Sequence, residues 1–564
     1  MSKKHRKLKK QKNIKTQDLS HSFFNKDSVI YILLFIAVAF VFIARMHLLS
    51  FPFERDEGEY ALMGKLILDG HAPYTLAYNM KFPGTYYMYA LIMTIFGKSI
   101  VGVHLGLAFI SIFSMLLLFY ISKNFVSKIG AVITAATFGV MGTSWTLLGQ
   151  AAHATHFVTF YALLGIASVF WIYKNKKQNI LLYLIPGILF SFSFICKQTG
   201  LFFVFIGYTI IIIKYYKTEK NIIVIKKLAV FTTGFAAPII TMFTYFYLFG
   251  DFNKFWFWTI EYLQKYGTQI PVSEAFNVFK FSLNSITSNY SSSGYIALWI
   301  LSLIGIPFIF ITKTSKNNKI LIISFVFFSL LTIIPGFNFR GHYFITLLPA
   351  IGLLVAVVFD YFNNFLINKI NRPNLLFITI FIFFLVIYSG IKQNKDFLFN
   401  TDTKISSKNI YGSNPFVESI KIAKFLKNNT TKTDKIAVIG SEPQIYFYAD
   451  RYPATGYIYT YNLVEIHSFA LQMQKEMANE IEKNKPKYIL FVDISLSWLT
   501  RPNSEKYIFT WAKQYLDKNY KIVGLIDLVQ NKFSSLKVRD QLINYQPQSK
   551  NIVFIYERVA SNMP

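Results

Sequence analysis

The stretch Ile30-Tyr-Ile-Leu-Leu-Phe-Ile-Ala-Val-Ala-Phe-Val-Phe-Ile-Ala-Arg-Met-His-Leu-Leu49 decides the fold class. At about 1.5 Å per residue, a helix of this length covers the roughly 30 Å hydrocarbon core of a bilayer. Further apolar stretches follow near Ile100–Ile121, Ile129–Leu148, Phe157–Tyr173, Ile180–Ile195, Leu201–Ile213, Leu228–Phe249, Tyr295–Ile311, Ile320–Ile334, Phe344–Phe365 and Leu375–Tyr388. They predict a polytopic, all-α membrane bundle of about eleven spans; a closed barrel would alternate apolar and polar residues instead. The composition agrees, with 53% of the 564 residues hydrophobic and 18% aromatic. The first apolar run is too long for a cleaved signal peptide and lacks a small-residue cleavage pattern, so it is expected to stay as a span.

The formal net charge of +30 invites a nucleic-acid reading, but the lysines fall in short tracts between apolar runs rather than along one soluble face. They read as topology signals. With the basic run Lys3 to Lys15 in a cytoplasmic tail (1–29), the inner connections carry Lys123 and Lys128, then Lys174, Lys176 and Lys177, then the tract Lys214 to Lys227. Lys313, Lys316 and Lys319 follow, and finally Lys369 and Arg372. A single missed span would reverse every later loop. The N-terminus is therefore expected in the cytoplasm and the C-terminal region outside. Gly84 to Phe96 is apolar but too short to span and reads as an interfacial helix within a first outer loop, 50–99, with Tyr86, Tyr87 and Tyr89 at headgroup depth.

From about residue 393 to 564 the pattern changes to that of a small outer α/β domain following the membrane unit of 30–392. Lys435–Gly440, Tyr488–Asp493, Tyr520–Ile526 and Ile552–Tyr556 read as buried strands, Leu463–Lys483 and Ser504–Lys518 as amphipathic helices. No glycine-rich phosphate loop follows its first strand. The single cysteine, Cys196, excludes an intramolecular disulfide and any cysteine-rich metal spacing.

The first outer loop opens Phe51-Pro-Phe-Glu-Arg-Asp-Glu-Gly-Glu-Tyr60, crowding Glu54, Asp56, Glu57 and Glu59 at the end of the first span. A helix start accounts for one or two acids through its dipole, and the remainder point to chemistry. Lys81, just before the interfacial helix, either snorkels or holds a lipid phosphate. Polar groups recur at the outer ends of later spans: His153 and His156, Lys197-Gln-Thr-Gly200, and Arg340-Gly-His-Tyr343. Lys197 lies in a very short turn between two apolar spans without an acidic sequence neighbour, where an idle charge is costly. His153 and His156 are equally compatible with packing, their spacing is not that of a zinc motif, and no metal ligand is assigned.

Arg55-Asp-Glu-Gly-Glu-Tyr-Ala61, Asp69-Gly-His-Ala-Pro-Tyr74, Lys81-Phe-Pro-Gly-Thr-Tyr-Tyr87, Lys197-Gln-Thr-Gly200 and Gly341-His-Tyr-Phe-Ile-Thr-Leu-Leu-Pro349 together resemble bacterial GT-C glycosyltransferases of the protein O-mannosyltransferase-like and lipid A aminoarabinose transferase-like group, glycosyltransferase family 39-like. The resemblance covers the membrane part. It implies a polyprenyl-phosphate sugar donor, Asp56 as catalytic base with Glu57 beside it, and Lys81, Lys197, Lys265, Arg340, His342 and Tyr343 facing the donor phosphate. Glu59, Tyr60, His153 and His156 are then candidates for sugar or acceptor contacts. Asn79-Met80 and Phe82-Pro83 depart from the family's usual acid and proline pair, as does His153 from a carboxylate. No cofactor is fixed, although a divalent cation is compatible with the cluster. The expected partners are the lipid-linked donor, membrane lipid and an acceptor glycan, lipid or protein, in a bacterial cytoplasmic (inner) membrane. A transporter or flippase of a lipid-linked or anionic substrate is the competing reading, weakened because the charges gather at one surface rather than the midplane and no internal repeat is visible. A receptor or scaffold leaves the first-loop cluster unexplained.

Overall fold

A computed structural model describes residues 26–177, 179–288, 295–370, 376–529 and 532–559. The basic run of residues 3–15 and Arg372 lie outside the described residues. Each predicted span falls on a helix: Lys26–His47, Ile100–Ser122, Lys128–Met141, Ala154–Lys174, Leu184–Cys196, Leu201–Tyr215, Asn221–Phe249, Ile296–Ile311, Lys316–Leu331, Leu348–Ile370 and Leu376–Lys395. By length and composition, seven helices among the described residues suffice to cross a membrane, and three shorter ones are equally apolar in character. Large apolar side chains such as Phe35, Ile43, Phe113, Tyr247 and Phe310 are exposed on these helices, which suits lipid and not water as the surrounding medium.

Local chemistry sets where the helices begin and how closely they pack. Ser99 and Ser127 cap their helices by accepting from Gly102 N and Gly130 N. Leu184–Cys196 and Asn221–Phe249 approach backbone to backbone through Gly187 and Gly234, where a Cβ would lie 2.2 Å from the Phe231 carbonyl oxygen and 2.4 Å from that of Leu184. Small residues permit such contact in lipid, where packing rather than the hydrophobic effect joins helices.

The C-terminal part carries one six-stranded sheet, ordered β2-β1-β3-β6-β4-β5, from β1 (Lys435–Ile439), β2 (Tyr452–Pro453), β3 (Tyr488–Asp493), β4 (Tyr520–Asp527), β5 (Leu536–Val538) and β6 (Ile552–Arg558). β1 runs parallel to β2 and β3, and β6 antiparallel to β3 and β4. The buried faces of β1 and β3 are apolar, as strands covered on both sides require.

This sheet unit is fused to the loop of residues 50–99. Helix Arg55–Leu68 lies against Gln444–Ala449, and one apolar core runs without interruption from Leu34 and Val41 through Phe53 and Tyr60 to Ile445 and the strand residues Ile436 and Val438. Polar ties reinforce the seam. Arg55 donates to the Ser441 carbonyl and to Glu442, both at 2.8 Å, and the Tyr448 hydroxyl accepts from Phe53 N at 2.8 Å.

A candidate active site between the first loop and the sheet domain

Proline at 52 and the Glu54 side chain, which accepts from Glu57 N at 2.9 Å, start helix Arg55–Leu68 immediately beyond the first apolar helix. The first turn thereby sends neighbouring acids to opposite sides. Asp56 faces a cavity of about 370 Å³, whereas Glu57 is fully buried, receives Ala152 N at 2.7 Å and sits 2.9 Å from His104 Nε2. Glu57 thus ties the helix to the connection that precedes helix Ala154–Lys174 and does not line the cavity.

Lys81 and Lys197 reach the same cavity because two backbone segments touch. At Gly84 a Cβ would lie 2.7 Å from the Ile195 carbonyl oxygen and Cys196 N, Thr85 donates to the Cys196 carbonyl at 2.7 Å, and Gln198 donates to the Met80 carbonyl at 3.0 Å. Lys81 Nζ stands 3.7 Å from Glu59 and 5.0 Å from the Tyr60 ring centre; Lys197 Nζ is 3.5 Å from the centre of Tyr343. Arg340, His342 and Tyr343 enter from the 3₁₀ turn Gly341–Leu347 and the residue before it. The cavity also takes Tyr60 and His153, the latter at the N-terminal end of helix Ala154–Lys174.

The remaining candidates stand elsewhere. Glu59 is fully buried behind Lys81 and accepts from the Tyr86 hydroxyl at 3.1 Å. His156 is buried one turn into its helix, outside the lining. Lys265 lines a neighbouring shallow cleft with Gln269, His467 and Arg501. The lining that sequence reasoning missed comes from the sheet unit and the loop before it: Tyr411, Phe416, Tyr459, Tyr461, Asn462 and Glu465, together with Trp258, Tyr262 and Tyr266. The Tyr459 hydroxyl is 3.4 Å from Asp56 Oδ1, and Glu465 accepts from Tyr262 at 2.5 Å. The aromatic run Tyr457-Ile-Tyr-Thr-Tyr461 was the signal available for them.

Electrostatics separates the acids. Burial raises Asp56, but Lys81, His153, Arg340 and Lys197 outweigh it and hold its carboxyl below the ordinary range, so it is ionised. Burial, then Asp56 and Glu57, push Glu54 well upward, and burial opposed by Lys81 leaves Glu59 at about 7. Two neighbouring carboxyls of opposite protonation suit different roles. Burial and Lys81 lower Lys197 to about 7 against the pull of Asp56, while Glu59 and Asp56 keep Lys81 charged despite burial. Lys81, Lys197 and Arg340 outnumber the one ionised carboxylate that shares the cavity with them, Asp56, and the surplus of cations suits an anion.

Asp56, His153 and His342 are the group among the described residues that could hold a metal ion, each offering one ligand atom within 4.8 Å of the others. The imidazoles stack at 4.0 Å; both His153 nitrogens and His342 Nδ1 lack a hydrogen-bond partner within the protein, which leaves nitrogens free to bind but gives the His153 ring no side chain or carbonyl to orient it as a ligand.

No protein-family model and no curated protein sequence matches the chain. Its structure is similar to ArnT from Cupriavidus metallidurans bound to undecaprenyl phosphate, with TM-score 0.57 and 10% identity over 95% of this chain and 99% of that one. It is also similar to the archaeal oligosaccharyltransferase AglB from Archaeoglobus fulgidus in complex with an inhibitory peptide and a dolichol-phosphate, with TM-score 0.50 and 14% identity over 92% and 75% of the two chains. The chain therefore has the GT-C fold, a multi-pass helical membrane architecture with a C-terminal sheet unit.

Proposed function

We propose that this chain is an inverting glycosyltransferase that moves a sugar from a polyprenyl-phosphate donor to an acceptor on the outer face of a bacterial cytoplasmic membrane. The observation that carries this reading is the meeting of an ionised Asp56 with Lys81, Lys197 and Arg340 in one cavity at the end of the helical bundle. The fold it shares with proteins bound to undecaprenyl phosphate and dolichol-phosphate supports the lipid carrier. The lysine distribution supports a cytoplasmic N-terminus, with 30–392 as the membrane unit and 393–564 as the outer domain.

In this mechanism Asp56 takes the proton of an acceptor hydroxyl, whose oxygen attacks the anomeric carbon as the bond to the phosphate oxygen breaks. The polyprenyl phosphate leaves with the electron pair, and Lys81, Lys197, Arg340 and Tyr343 receive its charge through charge-assisted hydrogen bonds in a site sheltered from water. One base and no covalent sugar intermediate give inversion. His342 completes the phosphate side, Tyr60 and His153 contact sugar or acceptor, and Glu57 acts by fixing the helix rather than by touching substrate. Glu59 sets the charge of Lys81. Lys265 lies outside the cavity, in the neighbouring cleft, and has no part in this mechanism.

The test is transfer of labelled sugar from a panel of polyprenyl-phosphate donors by purified protein and membranes, with and without EDTA, comparing the natural chain with Asp56→Asn. Transfer that falls by about 10²-fold or more in the variant supports the assignment. An active Asp56→Asn removes Asp56 from the role, and absence of transfer across the panel returns the chain to the transporter reading.

A further inference from the structure

The opposite end of the helical bundle carries a second group of cations that the reaction does not use. Lys174 ends the helix whose other end presents His153 to the cavity, about 31 Å away at 1.5 Å per residue, and Lys123 and Lys214 close two neighbouring helices on the same side. Lysines that merely mark topology would spread into water. These fold back onto aromatic rings: Lys123 and Lys174 Nζ share Tyr120, at 5.8 and 5.0 Å from its centre, and Lys214 Nζ lies 5.3 Å from the centre of Tyr173, the residue before Lys174. Lys174 stands between the other two and feels the positive charge of each.

The adjacent Lys227 shows how the fold treats a cation it satisfies internally. It is buried, 3.4 Å from the Tyr215 ring centre, and paired to Glu219 at 2.6 Å. No such carboxylate lies within 4.0 Å of Lys123, Lys174 or Lys214 among the described residues, and convergent, unneutralised ammonium groups over aromatic faces at a membrane boundary match the headgroup of an anionic lipid. We propose that Lys123, Lys174 and Lys214 form a phosphate-binding site for an anionic phospholipid at the membrane face opposite the catalytic cavity.

The test is equilibrium binding of fluorescent phosphatidylglycerol to the purified full chain in neutral detergent, with phosphatidylcholine and inorganic phosphate as competitors. We expect saturable binding that phosphatidylcholine does not displace and that weakens at least about tenfold in Lys123→Gln/Lys174→Gln/Lys214→Gln. The charge-matched Lys220→Gln/Lys226→Gln/Lys313→Gln, altered at exposed lysines of the same end, should bind as the natural chain does, and the triple arginine replacement at the three sites should restore binding. Equal loss in both glutamine triples, or binding that never saturates, overturns the proposal. Displacement by millimolar inorganic phosphate, lost in the first triple alone, would keep the phosphate site and assign it to a soluble ligand.

Discussion

Lys197 gives the site a pH dependence that can be worked out in advance. Burial and the neighbouring Lys81 lower the empty-site ammonium to about 7, and an arriving phosphodiester, whose charge is constant over this range, pulls it back up. The charged form is the binding form, so affinity is full below pH 7 and falls as pH rises, until the raised pKa of the bound state is reached. Between pH 6 and pH 9 the dissociation constant should rise about a hundredfold, one decade per unit above 7. Glu59, also near 7, gains charge beside Lys81 over the same interval and pushes in the same direction. The assay is titration of a short-chain polyprenyl methyl phosphodiester into the purified protein at half-unit pH steps. Lys197→Arg, always charged, should leave only the shallower Glu59 component, which Glu59→Gln should then remove. A flat profile in the natural chain, or an unchanged slope in Lys197→Arg, would refute the reasoning.

Glu442→Gln leaves the Arg55 guanidinium buried without its counter-charge, and should lower stability by about 3–5 kcal/mol, measured as a drop in Tm of the detergent-solubilised protein. Gly84→Val would drive side-chain atoms into the Ile195 carbonyl and separate Lys81 from Lys197, so donor affinity should fall more than Tm does. Tyr459→Phe removes a long hydrogen bond to Asp56, and kcat/KM should drop about two- to tenfold with donor Kd unchanged.

Much of the fold was legible because lipid permits few solutions: apolar runs of span length, each bounded by lysines, fell on helices throughout. The strands Tyr488–Asp493 and Ile552–Arg558 announced themselves by the apolar runs of residues 488–492 and 552–556, whereas β2 and β5, two and three residues long, carry too little pattern to read. Within the acid cluster, sequence proximity misled: Asp56 and Glu57 are neighbours, yet one turn of helix sends one to the cavity and the other to His104. Lys197 was found as a charge without an acidic neighbour, Lys81 as a lysine following the acid cluster, and Arg340 as a polar group at the end of a span. Tyr459, Tyr461 and Glu465 were not, since nothing in a stretch some 400 residues downstream states which surface it will cover, and only tertiary packing brings it over Asp56.

The seam between Arg55 and Glu442 has a meaning in time. Its two halves are 387 residues apart, so at synthesis rates of about 5–20 residues per second the acidic helix waits roughly 20–80 s for the element that completes its cavity. A growing chain thus displays its acids early and its finished pocket only after the last strands have formed. The closed cavity arrives late in synthesis, and a product truncated before Tyr459 would lack part of its lining.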